Sequence, residues 1–377
     1  MNHVYSIVFS FSGGYNFRNR QVCSYFRQLA PKIDYYTYLN QLLQDGRKIN
    51  FTPNQEIMQT ALDKSLFFLL EVCKDYIPKH LCNVAAKKNN LELLQWARTK
   101  GYEWDSWTYQ HAMNNKNLQM VQWMRANGCP WNETVCGFAA QNSLEILKWI
   151  RSQGCPWHES TCANAAECGQ IEILKWARSE GCEWDEYTCA GAAYSGNLEM
   201  LQWVRSENCE WDEDTCSSAA ENGHLEVLQW ARANGCEWDE STCALAAITG
   251  HLKVLQWARS QGCPWNKETC RDAAEGGHLE VLQWAHANGC EWDKETCSHA
   301  AWSGNLEMLQ WVRSKGCPWG KKTLLEAIKE GHLKVLEWAV NNGCPWNETV
   351  RSCALHSSDP EIVEWARNYL CSEDEDY

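Results

Sequence analysis

Along most of the chain, apolar residues fall into two short clusters that alternate, each with helical spacing. Between residues 250 and 276, Val254, Trp257 and Ala258 stand at i, i+3 and i+4, with Leu255 beside them and polar residues elsewhere. Thr269, Cys270, Ala273 and Ala274 repeat that spacing further on. Each cluster predicts an amphipathic helix of about ten residues. The punctuation agrees. Asn266, replaced in other copies by Asp185, Asp212, Asp239 or Asp293, is an N-cap residue, and the acidic residues after it suit the positive end of a helix dipole. Gly262 can take the left-handed conformation past a helix end, Cys263 supplies the apolar contact behind it, and Pro264 opposes continuation. Helices this short are marginal alone in water, so each must lean on its neighbours.

The tryptophans show how far the pattern extends. One series runs Trp96, Trp123, Trp149, Trp176, Trp203, Trp230, Trp257, Trp284, Trp311, Trp338 and Trp365, in steps of 27 residues with a single step of 26. A second series from Trp104 to Trp346 keeps the same rule and leaves only Trp107 and Trp302 outside. This is a tandem array in which each unit buries its face on the next. The short step falls at 140–144, in a turn between helices, where a deletion spares both apolar faces. Eleven repeats are expected over 81–371, preceded by a degenerate repeat or cap over 51–80 whose second helix starts near Leu66. Residues 1–50 carry helical signal around Val22–Leu29 and Tyr36–Leu43 but no assignable fold, and 372–377 reads as a frayed acidic tail.

The unit resembles the ankyrin repeat. Ala246-Ala247-Ile-Thr-Gly250-His251-Leu-Lys-Val-Leu matches the middle of that pattern, as do the stretches from Ala219 and Ala273. Thr269 falls where the family has proline, Cys270 on its buried leucine, Trp257 on a core leucine and Cys263 on the alanine after the glycine. The family's repeat is about 33 residues long, and the residues missing here lie between Gly262 and Cys270, where ankyrin proteins place their hairpin fingers. This short form, rich in Trp and Cys, is similar to arrays of large DNA viruses and protists. The resemblance implies an all-α, ankyrin-like helical solenoid of short antiparallel helix pairs that binds other proteins without catalysis. It also implies stub fingers, an indole packed between layers, and first helices as the contact surface.

Composition narrows the function. The 377 residues carry 48 acidic and 34 basic side chains, and the excess lies after residue 80. An acidic body repels phosphate backbones and anionic lipid, so protein partners are expected rather than nucleic acid or membrane. The 22 cysteines suggest a disulfide framework by count alone. Their spacing argues otherwise, because nine follow the cap glycine or its equivalent and seven sit in first helices, in slots the family gives to small apolar residues. Leu324 takes the first-helix slot in one copy, a swap that packing tolerates and a metal ligand does not. With no secretory signal at Met1-Asn-His-Val, a reducing cytoplasmic or nuclear setting is expected. A monomer without cofactor, metal or small-molecule substrate is expected too. No phosphate loop, serine elbow or zinc-protease motif appears.

His224, His251, His278 and His332 open second helices in a slot that Asn90, Asn197 and Asn305 fill elsewhere, so they are expected to bond backbone in the turn. His158 and His299 are read as surface residues. In a solenoid that binds a partner, contact residues are those that vary while the frame repeats. On the first helices and their turns these are Tyr187, Tyr194, Glu221, Ile248, Arg271, Glu275, His299, Trp302 and Lys329. Tyr194, Ile248 and Trp302 share one slot, 54 residues apart, with Glu221 and Glu275 between them. Apolar anchors in a polar surround are the usual build of a protein–protein hot spot. The alternatives are an adaptor for ubiquitin ligation or host-factor modulation, with residues 1–50 recruiting the machinery, and a purely structural spacer.

Overall fold

The N-caps form where the spacing predicts them. In the computed structural model, which describes residues 12–158 and 160–375, Asn266 Oδ1 accepts from Glu268 N at 2.8 Å and opens the helix Lys267–Glu275. Asp212, Asp239 and Asp293 cap their own helices in the same way, while Asp185 holds the position without a side-chain cap bond. Such a cap stabilises a helix by about 1 kcal/mol. The second helix, Leu252–Ser260, ends where Gly262 turns to a φ of +84°, and Cys263 N reaches back to Ala258 O at 3.0 Å. The short step keeps both helices, Thr134–Asn142 and Leu144–Ser152, because Ser143 alone closes one and caps the other. The described residues hold 27 α-helices and no strand. None of these helices is long and apolar enough to cross a membrane.

The chain divides into two compact units, 1–156 and 157–377. Unit 1 ends in three helix pairs, from Leu81–Lys87 with Leu91–Thr99 to Thr134–Asn142 with Leu144–Ser152. Ahead of them come Gln55–Asp63 and Phe67–Val72. The signal near Val22–Leu29 proves to be two helices, Asn16–Val22 and Ser24–Leu29, parted by extended Cys23. The next helix, Tyr35–Gln44, packs on Phe67–Val72: Asn40 Oδ1 accepts from Leu69 N at 3.1 Å, and Asp34 pairs with Lys64 at 2.9 Å. Residues 1–11 lie outside the described part.

Unit 2 holds eight helix pairs, from Ser160–Glu167 with Ile171–Ser179 to Glu348–Leu355 with Pro360–Glu375. The last helix runs on into the segment expected as a tail; residues 376 and 377 lie outside the described part. First helices of successive layers pack directly on one another, whereas second helices are held further apart. The row therefore bends toward its first helices, which form the concave face of the unit. Small residues permit the approach: a Cβ on Gly191 would lie 2.9 Å from both Ala163 O and Glu167 N.

Four contacts recur from layer to layer. Behind the alanines, the cap cysteines are fully or almost fully buried, and those from Cys155 to Cys344 also donate their thiols to the carbonyl that opens their own layer, as Cys209 does to Asp185 O at 3.2 Å and Cys236 to Asp212 O at 3.2 Å. This weak S–H···O bond is one that alanine cannot make. Among the described residues the cysteines stand as free thiols. Burial pushes Cys129 and Cys344 up to about 12.

The second contact is between indoles. Trp184 meets Trp203 edge to face at 5.6 Å, and Trp211 meets Trp230 at 5.9 Å, each pair joining one layer to the next. In unit 1, Trp104 and Trp123 do the same at 5.8 Å. These pairs contribute about 1 kcal/mol each beyond their buried area. The indoles are half-buried rather than enclosed in most layers, because an arginine covers the outer side. Arg205 lies 4.0 Å over Trp211 and Arg259 4.1 Å over Trp265, with His286 replacing the arginine over Trp292. The same guanidiniums bond the cap-cysteine carbonyls, the third contact.

The fourth belongs to the histidines. Three of them bond backbone as expected, though in the preceding layer rather than in their own turn: His224 Nε2 donates to Tyr194 O and His332 Nε2 to Trp302 O, both at 3.0 Å, and His251 bonds the Glu221 backbone. The imidazole lies over the preceding layer's glycine, so that a Cβ on Gly250 would fall 2.6 Å from His278 Cε1.

Candidate functional site

The variable slot lies in a line along the concave face of unit 2. Tyr194, Glu221, Ile248, Glu275, Trp302 and Lys329 are each the last residue of their first helix, one per layer. Tyr194 is 40% and Trp302 39% exposed, and Ile248 is half-buried. Packed helices lie about 8–10 Å apart, so these three anchors, two layers apart, are separate points rather than one cluster.

What the structure brings together is two hollows. Tyr187 and Tyr194 stand on either side of Ala190 and Gly191, around a hollow of about 450 Å³ that also touches His158, Ser160, Glu167, Asp185 and Ser218. Glu275, His299, Trp302 and Lys329 meet around a second, of about 220 Å³, together with Glu326. Glu221 and Ile248 lie on the line between them. Arg271 departs from the expectation. Its guanidinium is bound through two nitrogens to Asp293, the N-cap of the next layer, with Lys267 a further 3.4 Å from the same carboxylate. That pairing holds Asp293 down at about 2 against the opposing effect of burial. Arg271 therefore joins layers before it can meet a partner.

The two hollows differ in charge. In the second, His299 Nδ1 lies 2.8 Å from Glu275 Oε2, and Lys329 stands 3.0 Å from Glu330 and 3.9 Å from Glu326. His299 is thus a half-buried partner of Glu275 rather than a plain surface residue. Among the described residues, the first hollow has no lysine or arginine in its lining. Between residues 157 and 250 there are 18 acidic and 4 basic side chains. Next to the second hollow, Asp272 is pushed up to about 6 by burial and by Glu275 and Glu268, with Arg271 opposing.

The variable-residue criterion missed Gly191 and Glu167, and it misplaced His158. His158 Nδ1 bonds Ser160 Oγ at 2.8 Å and lines the hollow instead of standing free on the surface. Gly191 had a readable signal, because the same slot holds Asn164, Ser218, Leu245, Asp272 and His299 in other copies. Among the described residues, no group of three or more His, Cys, Asp or Glu is placed to hold a metal ion.

No protein-family model matches the chain, and no curated protein matches it. Solved structures do. The human ASB11 ankyrin repeat domain is similar over 47% of this chain and 96% of its own, at 15% identity and a TM-score of 0.39. The pentatricopeptide repeat protein PPR10, in complex with an 18-nt psaJ RNA element, is similar over 80% of this chain and 60% of its own, at 14% identity and a TM-score of 0.28. The architecture itself, short helix pairs closed by left-handed glycines and stacked through their alanines, is a helical repeat that resembles an ankyrin repeat domain.

Proposed function

We propose that the protein is a non-catalytic, protein-binding scaffold of ankyrin-repeat type, in the short form similar to arrays of large DNA viruses and protists, and that the concave face of unit 2 holds the partner. The single observation that carries this is the line of first-helix end residues, which change identity from layer to layer on a frame that does not. Tyr194 and Trp302 stay exposed at fixed positions on that frame. Each layer is locked by the contacts described above, so little ordering cost remains when a partner docks. Helix Tyr35–Gln44 packs directly on Phe67–Val72 as well as on the helices before it, which supports continuity with the array over the separate module of the adaptor alternative.

Affinity capture tests the reading, using the intact chain beside a Tyr194, Ile248 and Trp302 triple alanine variant and mapping cross-links on the captured protein. The expected result is a partner cross-linked to first helices of unit 2 and lost with the variant. Cross-links confined to unit 1, or equal capture by both forms, would overturn it. Single-stranded RNA run in parallel is expected to stay unbound, and an RNA held by the same face would replace the protein-binding reading.

A further inference from the structure

We propose that the hollow beside Gly191 seats an arginine side chain from a basic segment of the partner. The proposal rests on the scaffold reading and names the chemistry that this part of the face selects. The hollow exists because two helices meet closely at a residue without a side chain. Helix Ser160–Glu167 approaches Glu186–Tyr194 until a Cβ on Gly191 would strike backbone, so the floor is alanine and peptide while neighbouring layers fill the same slot with Asn164 and Ser218. Tyr187 stands four residues before this gap and Tyr194 three after it, on one helix face, about 10 Å apart along the axis. They are 58% and 40% exposed. Two exposed aromatic rings beside a small-residue floor form a wall-and-floor arrangement, which is different from scattered surface tyrosines.

Charge selects the occupant. Glu167 is exposed at the rim and makes no ion pair among the described residues. Asp185 lines the other side, and among the described residues no lysine or arginine lines the hollow. The second hollow, built in a related slot, already holds Lys329 and His299 against its own carboxylates. An apolar side chain would fill the first hollow but leave the rim carboxylate unanswered. A guanidinium answers both features, because its plane stacks on an aromatic face and its paired N–H donors match a carboxylate. The surrounding excess of acidic residues, 18 against 4 over 157–250, steers a basic segment toward this end of unit 2.

The test pans a random dodecapeptide display library on the full-length chain, then titrates the best peptide in synthetic form. The expected selection carries a fixed arginine. Replacing that arginine by its neutral isostere citrulline is expected to weaken binding tenfold or more, as are Glu167→Gln and the Tyr187→Ala/Tyr194→Ala pair. Trp302→Ala, in the other hollow, is expected to change it less than twofold. Glu167→Gln alters an exposed side chain, so its folding is not at stake. Peptides without a cationic position, citrulline binding as well as arginine, or equal affinity for the Glu167→Gln protein would each overturn the proposal. A selection that returns nothing overturns it as well. None of these outcomes touches the scaffold reading, which stands or falls on captured partner and the triple variant.

Discussion

Seven threonines occupy the same first-helix slot, Thr161, Thr188, Thr215, Thr242, Thr269, Thr296 and Thr323, and all are fully buried with Oγ1 lacking a hydrogen-bond partner. A buried hydroxyl without a partner costs about 1–3 kcal/mol in proteins. Valine keeps the branched shape and exchanges that hydroxyl for a methyl, whose burial is worth about 0.8 kcal/mol. Two layers already carry Val135 and Val350 in the slot, both buried, so the frame accepts the shape. Thr215→Val is therefore expected to stabilise its layer by about 1–2 kcal/mol. Thr108 provides the opposite case, because its Oγ1 accepts from Asp105 N at 3.2 Å and donates to Asn83. Thr108→Val is expected to cost about 1 kcal/mol. Since long repeat arrays depart from two-state unfolding, the measurement pairs the urea midpoint with native-state hydrogen exchange of the substituted layer. A loss of stability in Thr215→Val of the size seen for Thr108→Val would refute the reasoning and give the repeated hydroxyl a partner.

Three further outcomes follow from named contacts. Asp272 titrates near 6 in the folded protein, above its ordinary value of 3.8, so folding is opposed once it ionises and stability is gained as pH falls through about 6. Asp272→Asn is expected to stabilise by about 1–2 kcal/mol at pH 7.5, a discounted share of the full shift for a half-buried group, with the advantage gone below pH ~4; an advantage that does not vary with pH in paired denaturation curves would defeat this. Gly262→Ala meets open space and is expected to cost only the left-handed backbone penalty of about 1–2 kcal/mol. Gly250→Ala must also displace the His278 imidazole, so it is expected to lower the melting temperature further, with His278→Asn restoring the difference. In native protein, peptide mapping after iodoacetamide treatment is expected to find Cys23, Cys168 and Cys353 modified well before buried Cys129 and Cys344, whose thiols burial holds protonated.

The helices, their caps and their order were legible in the chain because each depends on residues within about four positions of one another. Val254, Leu255 and Ala258 share a face whatever surrounds them, and Gly262 ends that helix by its own conformation. The cysteine slots were legible as core positions, although the thiol bonds to carbonyls 24 residues away were not. Nor was the commitment of Arg271 to Asp293, which turns a variable surface residue into part of the frame. His224 illustrates the same limit: its exchange with asparagine correctly indicated backbone bonding, yet the carbonyl it reaches belongs to Tyr194 in the previous layer.

The candidate site divides the same way. Repetition alone picked out Tyr187 and Tyr194 as residues that vary on a fixed frame. Only the stacking of layers decided that Gly191 opens a hollow between them, that Glu167 stands at its rim, and that the other hollow carries its own compensating charges. The physical reason is that side-chain spacing along a helix is set locally by its 3.6-residue turn, whereas contacts between layers depend on how closely two backbones approach. That distance is set by the alanines, cysteines and glycines packed between them, acting together, and no single repeat carries it.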